Sequence, residues 1–383
     1  MSAPTNMTLT TRHASLSGLV ALLRSQHEAK LDVVVPAGQM RAAGGYLRIE
    51  GAGDAVITPE GVDTGAGLFW PTDTCDGGIA EKLTIPVGYL RRMREHHVDL
   101  YDTSVNTWLG DDPTRRFLVR ALRGGEGQPG VARALLSDQY RFTDNLDVLM
   151  SVLTGIKASG AQVQVTGCDL TEQRMYVTIR SDDIAAYAPT LLAGYTSPFT
   201  GARGADNPVV FAGMVVSNSE TGHGSFSITP RIVAQVCDNG MTITRDMLRE
   251  VHLGGRLEAG VIRWSAGTEQ AALDLVTAKA RDAVTTFLDT DYLTRAIAGI
   301  ERESGVRVEN VNATLEYVGK QLRFTTEQQQ RILAHFIEGG QCTSGGVLHA
   351  VTSTAQTLAD ADDAYQMERA GLPAMSLAAA FQH

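Results

Sequence analysis

Residues Val209–Thr229 read VVFAGMVVSNSETGHGSFSIT, and the fold class turns on this stretch. Two runs rich in β-branched and aromatic residues, Val209–Ser217 and Gly224–Thr229, flank the polar Asn218–His223. Such runs suit a pleated, half-buried surface, and Asn and Gly accept the backbone angles of a tight turn, so the stretch predicts a β-hairpin. Its turn has three readings. Asn218, Ser219, Gly222 and Gly224 can present successive donors as a nest for an anion. Glu220 and His223 can act as an acid–base pair if partly buried. The same residues also make a plain connecting turn. Asn239–Gly240, a little further on, is a second turn with the same two-sided reading.

Moving outward, Gln162–Thr166 and Met175–Arg180 alternate and predict another hairpin. Asp144–Ile156 has apolar residues at helical spacing with Asp144 placed to cap it. Leu16–Lys30 reads as a helix and Leu83–His97 as helical after Pro86, Leu31–Val35 as a strand stopped by Pro36, and Tyr46–Ile49, Ala55–Thr58 and Leu68–Trp70 as short strands. Gly124–Gly130 is a loop. Beyond Gly260 the pattern turns helical: Thr268–Ser304 with a break at Asp289–Asp291, Thr325–Glu338 with Thr326 and Gln329 at capping-box spacing, and Gly346–Ala370 ended by Gly371 and Pro373. The expectation is an α+β fold, with a central, mainly antiparallel sheet built from hairpins and a mostly helical C-terminal third. Its segments are a strand-rich 1–78, an α+β core 79–260, and a helical 261–383 packed on the same core.

The chain has 383 residues, is 43% hydrophobic and 20% charged, and carries a net charge of -10. That is too apolar for disorder and too acidic for a surface coated all over with nucleic acid, although one basic groove remains compatible. Cys75, Cys168, Cys237 and Cys342 lie far apart and read as reduced thiols. No apolar leader and no membrane-length run occurs, so the expected place is the cytoplasm, with no membrane partner. No metal site at zinc spacing and no cofactor motif is expected. Gly124–Gly130 lacks the lysine of a phosphate loop, and hydrolase signatures are missing, which points away from a motor or standard hydrolase.

Lys82–Arg141 holds ten lysines and arginines against seven acidic residues, whereas residues 1–81 hold five against nine. Arginines fork onto phosphates, and aromatic faces stack on unpaired bases, so interleaving the two suits single-stranded nucleic acid. Arg115, Arg116, Arg120, Arg133 and Arg141 are the candidate phosphate contacts, with Tyr140 and Trp108 the stacking partners. The alternatives are a factor that binds a host protein through its acidic surface, and an enzyme acting on nucleic acid or nucleotide through Glu220 and His223. Ala-rich helical faces such as Ala271, Ala272, Leu275 and Ala278 allow close packing and leave a homo-oligomer open.

Four segments, in order, carry a family likeness: IPVGYLRRM (Ile85–Met93) with VNTWL (Val105–Leu109); LLSDQYRFTDNLDVL (Leu135–Leu149); VVSNSETGHGSFSITP with VCDNGM (Val215–Met241); and LHAVTSTAQ (Leu348–Gln356). On these the chain resembles the phage- and plasmid-borne family of unknown function called the nine-thirty-two domain, with His349 standing where that family has asparagine. The resemblance implies a mobile-element context, hence a host's cytoplasm. The order of helix, hairpins and long helices also resembles the superfamily of single-strand annealing proteins, which implies DNA metabolism and recombination.

Overall fold

Hydrophobic alternation sorts all but two of the described strands into two sheets with helices on their apolar faces. The structure is a computed structural model that describes residues 7–53, 55–58, 61–125, 127–140, 142–236, 240–250 and 266–381. The chain starts with β1 (Thr11–Ala14) and α1 (Leu16–Ala29), where the Ser15 hydroxyl accepts from the Gly18 N–H at 3.1 Å. Next come β2 (Lys30–Pro36), β3 (Met40–Ala43), β4 (Tyr46–Ile49), the small hairpin β5 (Ala55–Thr58) and β6 (Gly61–Thr64), and β7 (Gly67–Pro71). Three helices follow, α2 (Asp73–Leu83), α3 (Val87–His96) and α4 (Val98–Asp111), then β8 (Arg116–Leu122) and β9 (Gly130–Ser137). The middle of the chain holds α5 (Asn145–Ser159), β10 (Gln164–Leu170), β11 (Met175–Tyr187), α6 (Pro189–Leu192), β12 (Val209–Asn218), β13 (Phe226–Ala234), β14 (Gly240–Thr242) and β15 (Leu248–Glu250). The C-terminal part is α7 (Ala266–Phe287), α8 (Thr290–Ser304), α9 (Val311–Gln321), α10 (Thr326–Gly339), α11 (Ser344–Gln356) and α12 (Ala361–Ala380).

The fold is α+β, as the alternation implies. The first sheet has the order β2-β8-β9-β7-β4-β3, antiparallel except for the parallel pair β7/β9. Its inner face, with Val35, Phe117, Val119 and Leu135, packs on Ile79, Leu90, Tyr101 and Val105 of α2–α4. The second sheet has the order β1-β10-β11-β12-β13-β14, with β15 also on β13. Met175, Val177, Ile179, Met214 and Ile228 face a core shared with α1, α5, α7 and α8. No described helix is long and apolar enough to cross a membrane.

Several expectations shift. A segment boundary at residue 78 cuts through α2, and β7 pairs with β9, so residues 30–137 form one layered unit. The helix expected after Pro86 forms as α3 from Val87, set off from α2 by Thr84 in the left-handed region. The capping box is Thr325 with Gln328, one residue earlier than the Thr326/Gln329 spacing suggests. Gly371 and Pro373 do not end a helix. Instead Asp360 caps a new one, α12, which runs through Pro373 to Ala380. Gly371 serves packing: a Cβ there would lie 2.7 Å from Thr352 of α11, so its absence lets the two helices close.

Candidate functional site

The turn after β12 lies between the two sheets, and its side chains point into the molecule. Ser217, Asn218, Ser219, Glu220 and Thr221 are all buried. Asn218 donates to the Thr143 carbonyl at 3.0 Å and to Asn145 Oδ1 at 2.9 Å. Glu220 accepts from the Asn145 N–H at 3.0 Å and from the Arg133 guanidinium. The Arg120 guanidinium, 1% exposed, holds Asp32 through Nε and Nη2 (2.9 and 3.1 Å), Asp144 Oδ1 at 2.7 Å and the Glu220 carbonyl at 2.9 Å. Lys30 completes the set on Asp144 Oδ2 at 2.5 Å, and Arg120 lies 3.4 Å from the centre of the Phe142 ring.

Two local features aim these side chains. The β8/β9 register slips between Arg120 and Ala121, which leaves Arg133 as the extra residue of a bulge. A bulged residue escapes the strict alternation, so Arg133 and Arg120 converge on one carboxylate. Asp144 occupies the N-cap of α5, but its carboxylate makes no cap bond and turns instead to Arg120 and Lys30. The network therefore sets Lys30, Arg120 and Arg133 against Asp32, Asp144 and Glu220, three charges of each sign. Burial acts to raise the Glu220 pKa, yet Arg133 and Arg120 hold it below the usual carboxylate range. Asp144 is likewise lowered, burial being outweighed by Arg120 and Lys30. The space left among these groups is about 20 Å³, room for a water and not for a ligand.

This geometry corrects two expectations. Glu220 and His223 do not form an acid–base pair: Glu220 is held as a carboxylate between arginines, and His223 Nδ1 lies 3.2 Å from the Thr221 carbonyl. Burial lowers the His223 pKa, so the ring is neutral near pH 7. The anion nest is not open either. Ser219 Oγ accepts from the Thr221 and His223 N–H groups, and Gly222 and Gly224, both at positive φ, close the turn against Leu136 and Arg174. Gly240 begins β14, and Asn239 lies outside the described residues.

The four described arginines do not line one track. Arg120 and Arg133 are locked in the network. Arg115 is exposed, donates to the Lys82 carbonyl at 3.0 Å and packs over Phe117, and Arg116 is exposed beside it at the start of β8. Trp108 is 50% exposed on α4, Tyr140 is half-buried, and Arg141 lies outside the described residues. Close in sequence, the described residues are spread over α4, β8, β9 and the loop after it, and Arg120 and Arg133 are drawn into the buried network. His349 is a core residue: it is buried, stacks on Tyr195 at 4.1 Å, and its Nε2 lies 3.1 Å from the Leu191 carbonyl. Burial carries its pKa down to about 4, so it stays neutral.

A second polar arrangement lies on the outer face of the large sheet. Core residues on β11 and β13 alternate with Tyr176, Thr178 and Arg180, and with Thr229, Arg231 and Val233. The registers align Gln164, Arg180, Gly213 and Arg231 in one row across β10–β13. Gly213 leaves the row bare between two arginines whose strands are about 10 Å apart. Over this face lies α12, tied down by Tyr176–Asp362 (2.7 Å), Thr229–Tyr365 (3.2 Å) and a two-pronged Arg231–Glu368 pair (2.9 and 2.8 Å). Beside it opens a cleft of about 550 Å³ lined by Arg12, His13, Arg180, Arg231, Thr166 and Thr178, with Asp169 and Glu368 among its acids. Arg12 pairs with Asp169, and Arg180 with Asp182 at 2.7 Å. The hairpin's alternation was the available signal for this row. Arg12, Arg180 and Arg231 are far apart in sequence, so only the fold brings them together. Compared with family models, curated proteins and solved structures, the chain matches none.

Proposed function

We propose that the chain binds single-stranded nucleic acid in the cleft beside α12 on the outer face of its large sheet, with the phosphates near Arg180, Arg12 and the rim at Arg231. The observation that carries this is the row Gln164–Arg180–Gly213–Arg231. It sets forked cations and amide or hydroxyl donors on one sheet face beside a cleft of an otherwise acidic protein. The cleft gathers three arginines, each paired with one carboxylate (Asp169, Asp182 and Glu368), so it is locally balanced in an otherwise acidic chain. The reading keeps the nucleic-acid role expected from the arginine–aromatic stretch, moves it to different residues, and fits the mobile-element and annealing context of the resemblance.

A labelled oligothymidine titrated over a range of salt tests it. Affinity should fall as salt rises, because phosphate contacts release counterions. Arg180→Glu or Thr178→Glu should weaken binding at least about tenfold, by reversing or adding charge where a phosphate sits. Arg115→Ala with Arg116→Ala should leave it unchanged. No binding at low salt, or binding lost only in the Arg115/Arg116 variant, would overturn the assignment.

An adjoining cleft favours a second reading. It is lined by Asp73, Glu172, Asp360 and Asp362 against Arg12 and Arg91, and it suits a cationic segment of a host protein better than a phosphate. A basic peptide that binds while the oligonucleotide does not would select it.

A further inference from the structure

The two edges of the first sheet are finished differently. At the β3 edge, Asn106 fills the place of a missing strand: its Oδ1 accepts from the Ala42 N–H at 2.8 Å and its Nδ2 donates to the Ala42 carbonyl at 2.9 Å. Asp102 takes the Gly44 and Gly45 N–H groups just beyond. The β2 edge has no such cover among the described residues. It is also the longest edge, seven residues against four for β1 and β3 and three for β14.

The free groups of β2 follow from its register with β8. The Ala29 carbonyl accepts from Arg123 N–H at 2.7 Å, and Ala37 N–H donates to the Arg115 carbonyl at 2.8 Å. Between these points Leu31, Val33 and Val35 turn their N–H and C=O toward β8, and Asp32 and Val34 turn theirs away from the sheet. Natural edges are blunted by bulges, prolines or outward charges. Here β2 runs without a bulge, its only proline is Pro36 at the end, the charges of Lys30 and Asp32 are engaged by Asp144 and Arg120, and Val34 is 40% exposed.

We propose that β2 is a dimerisation edge, pairing antiparallel with β2 of a second copy about a two-fold axis at Val33. The strand is complementary to itself in that register. Asp32 meets the partner's Val34, and Val34 the partner's Asp32, so four outward N–H and C=O pairs are satisfied at once. Lys30 meets Pro36 of the other copy, and neither has a donor to leave stranded: the Lys30 N–H already serves the His27 carbonyl, and proline has none. Shifting the axis to Asp32 would oppose two carboxylates, and shifting it to Val34 would set the donor-less Pro36 against Asp32. The two six-stranded sheets would join into one of twelve strands.

Sedimentation of the whole chain, with variants at the two central positions, tests this. The wild type should sediment as a dimer. Val34→Pro removes an outward N–H and no bond to β8, and Val34→Glu places like charges across the axis. Each should weaken dimerisation at least about 30-fold with unchanged circular dichroism, for the loss of two or more hydrogen bonds. If the proline variant does not fold, the glutamate variant carries the test alone. On a Cys342→Ser background, Val33→Cys should oxidise to a covalent dimer and Val34→Cys should not, because only residue 33 meets itself. A wild type that stays monomeric to its solubility limit overturns the proposal, as does a dimer that Val34→Glu leaves intact. A dimer split by Val34→Glu but not locked by Cys at 33 overturns the register.

Discussion

The network around Arg120 and the row across the large sheet use the same side chains to opposite ends. Around Arg120, three cations and three anions from both sheets and α5 close on one another with no room for a guest. Along the row, Arg180 and Arg231 each keep a carboxylate but lie beside a cleft of about 550 Å³. A buried charge must find its full complement inside the protein, so wherever it is found complete, its work is to hold the fold. A charge beside open space keeps part of its field for a partner. Richness in arginine therefore does not locate a binding surface; the state of each guanidinium's surroundings does.

Removing one member of the closed network should have the largest effect. Arg120→Ala leaves Asp32, Asp144 and Glu220 facing one another without their shared partner, and breaking a buried pair in this way costs about 3–5 kcal/mol. Urea unfolding of the variant should show that loss or a failure to fold, because the same guanidinium joins the first sheet to the turn of the second. A loss below about 1 kcal/mol, the range of an exposed ion pair, would erase the distinction drawn here.

Asp76 sharpens the comparison, since it is a buried carboxylate whose complement is incomplete. It is fully buried, with Arg94 Nη2 at 2.8 Å, but neither oxygen receives a well-directed hydrogen bond from the described residues. Burial outweighs Arg94 and raises its pKa from 3.8 to about 7, whereas Glu220, with two arginines and a backbone N–H, is lowered. Between pH 3.8 and 7 the folded chain thus binds more protons at Asp76 than the unfolded chain, so its effect on stability worsens as pH rises through that window. The full excursion is on the order of 4 kcal/mol. Asp76→Asn should flatten the decline in unfolding free energy between pH 5 and 8 relative to wild type. An unchanged slope would mean that Asp76 titrates as an ordinary carboxylate.

Much of this architecture was legible in the chain. The hairpin at Val209–Thr229, the start of α5 after Asp144 and the helical turn of character after Gly260 follow from local periodicity, although the Asp144 side chain serves the buried network and not the cap. What escaped was long-range. Helix α4 hides its apolar face in a run punctuated by Asp99, Asp102 and Asp111, and the edge-capping role of Asn106 depends on β3, 64 residues away. The pairing of Arg133 with Glu220 spans 87 residues and needs a bulge that no composition reveals. The turn Ser217–Gly224 looked like a site because it is dense in polar groups. Those groups are there to satisfy one another where two sheets meet.

The smallest expected effect on stability belongs to the open row. Arg180 pairs with Asp182, whose side chain is 39% exposed, and exposed pairs contribute about 0–1 kcal/mol once desolvation and side-chain entropy are counted. Arg180 also rests on the Phe211 ring at 5.1 Å, a contact that Lys or Met can partly replace with its stem. Arg180→Met should therefore shift the urea midpoint by an amount equivalent to less than about 1 kcal/mol, against the several lost in Arg120→Ala. Met keeps the apolar cover and removes only the charge, so any loss of oligonucleotide binding in this variant is a loss of guanidinium contact and not of fold. A large destabilisation instead would place Arg180 with Arg120 among the residues that build the protein.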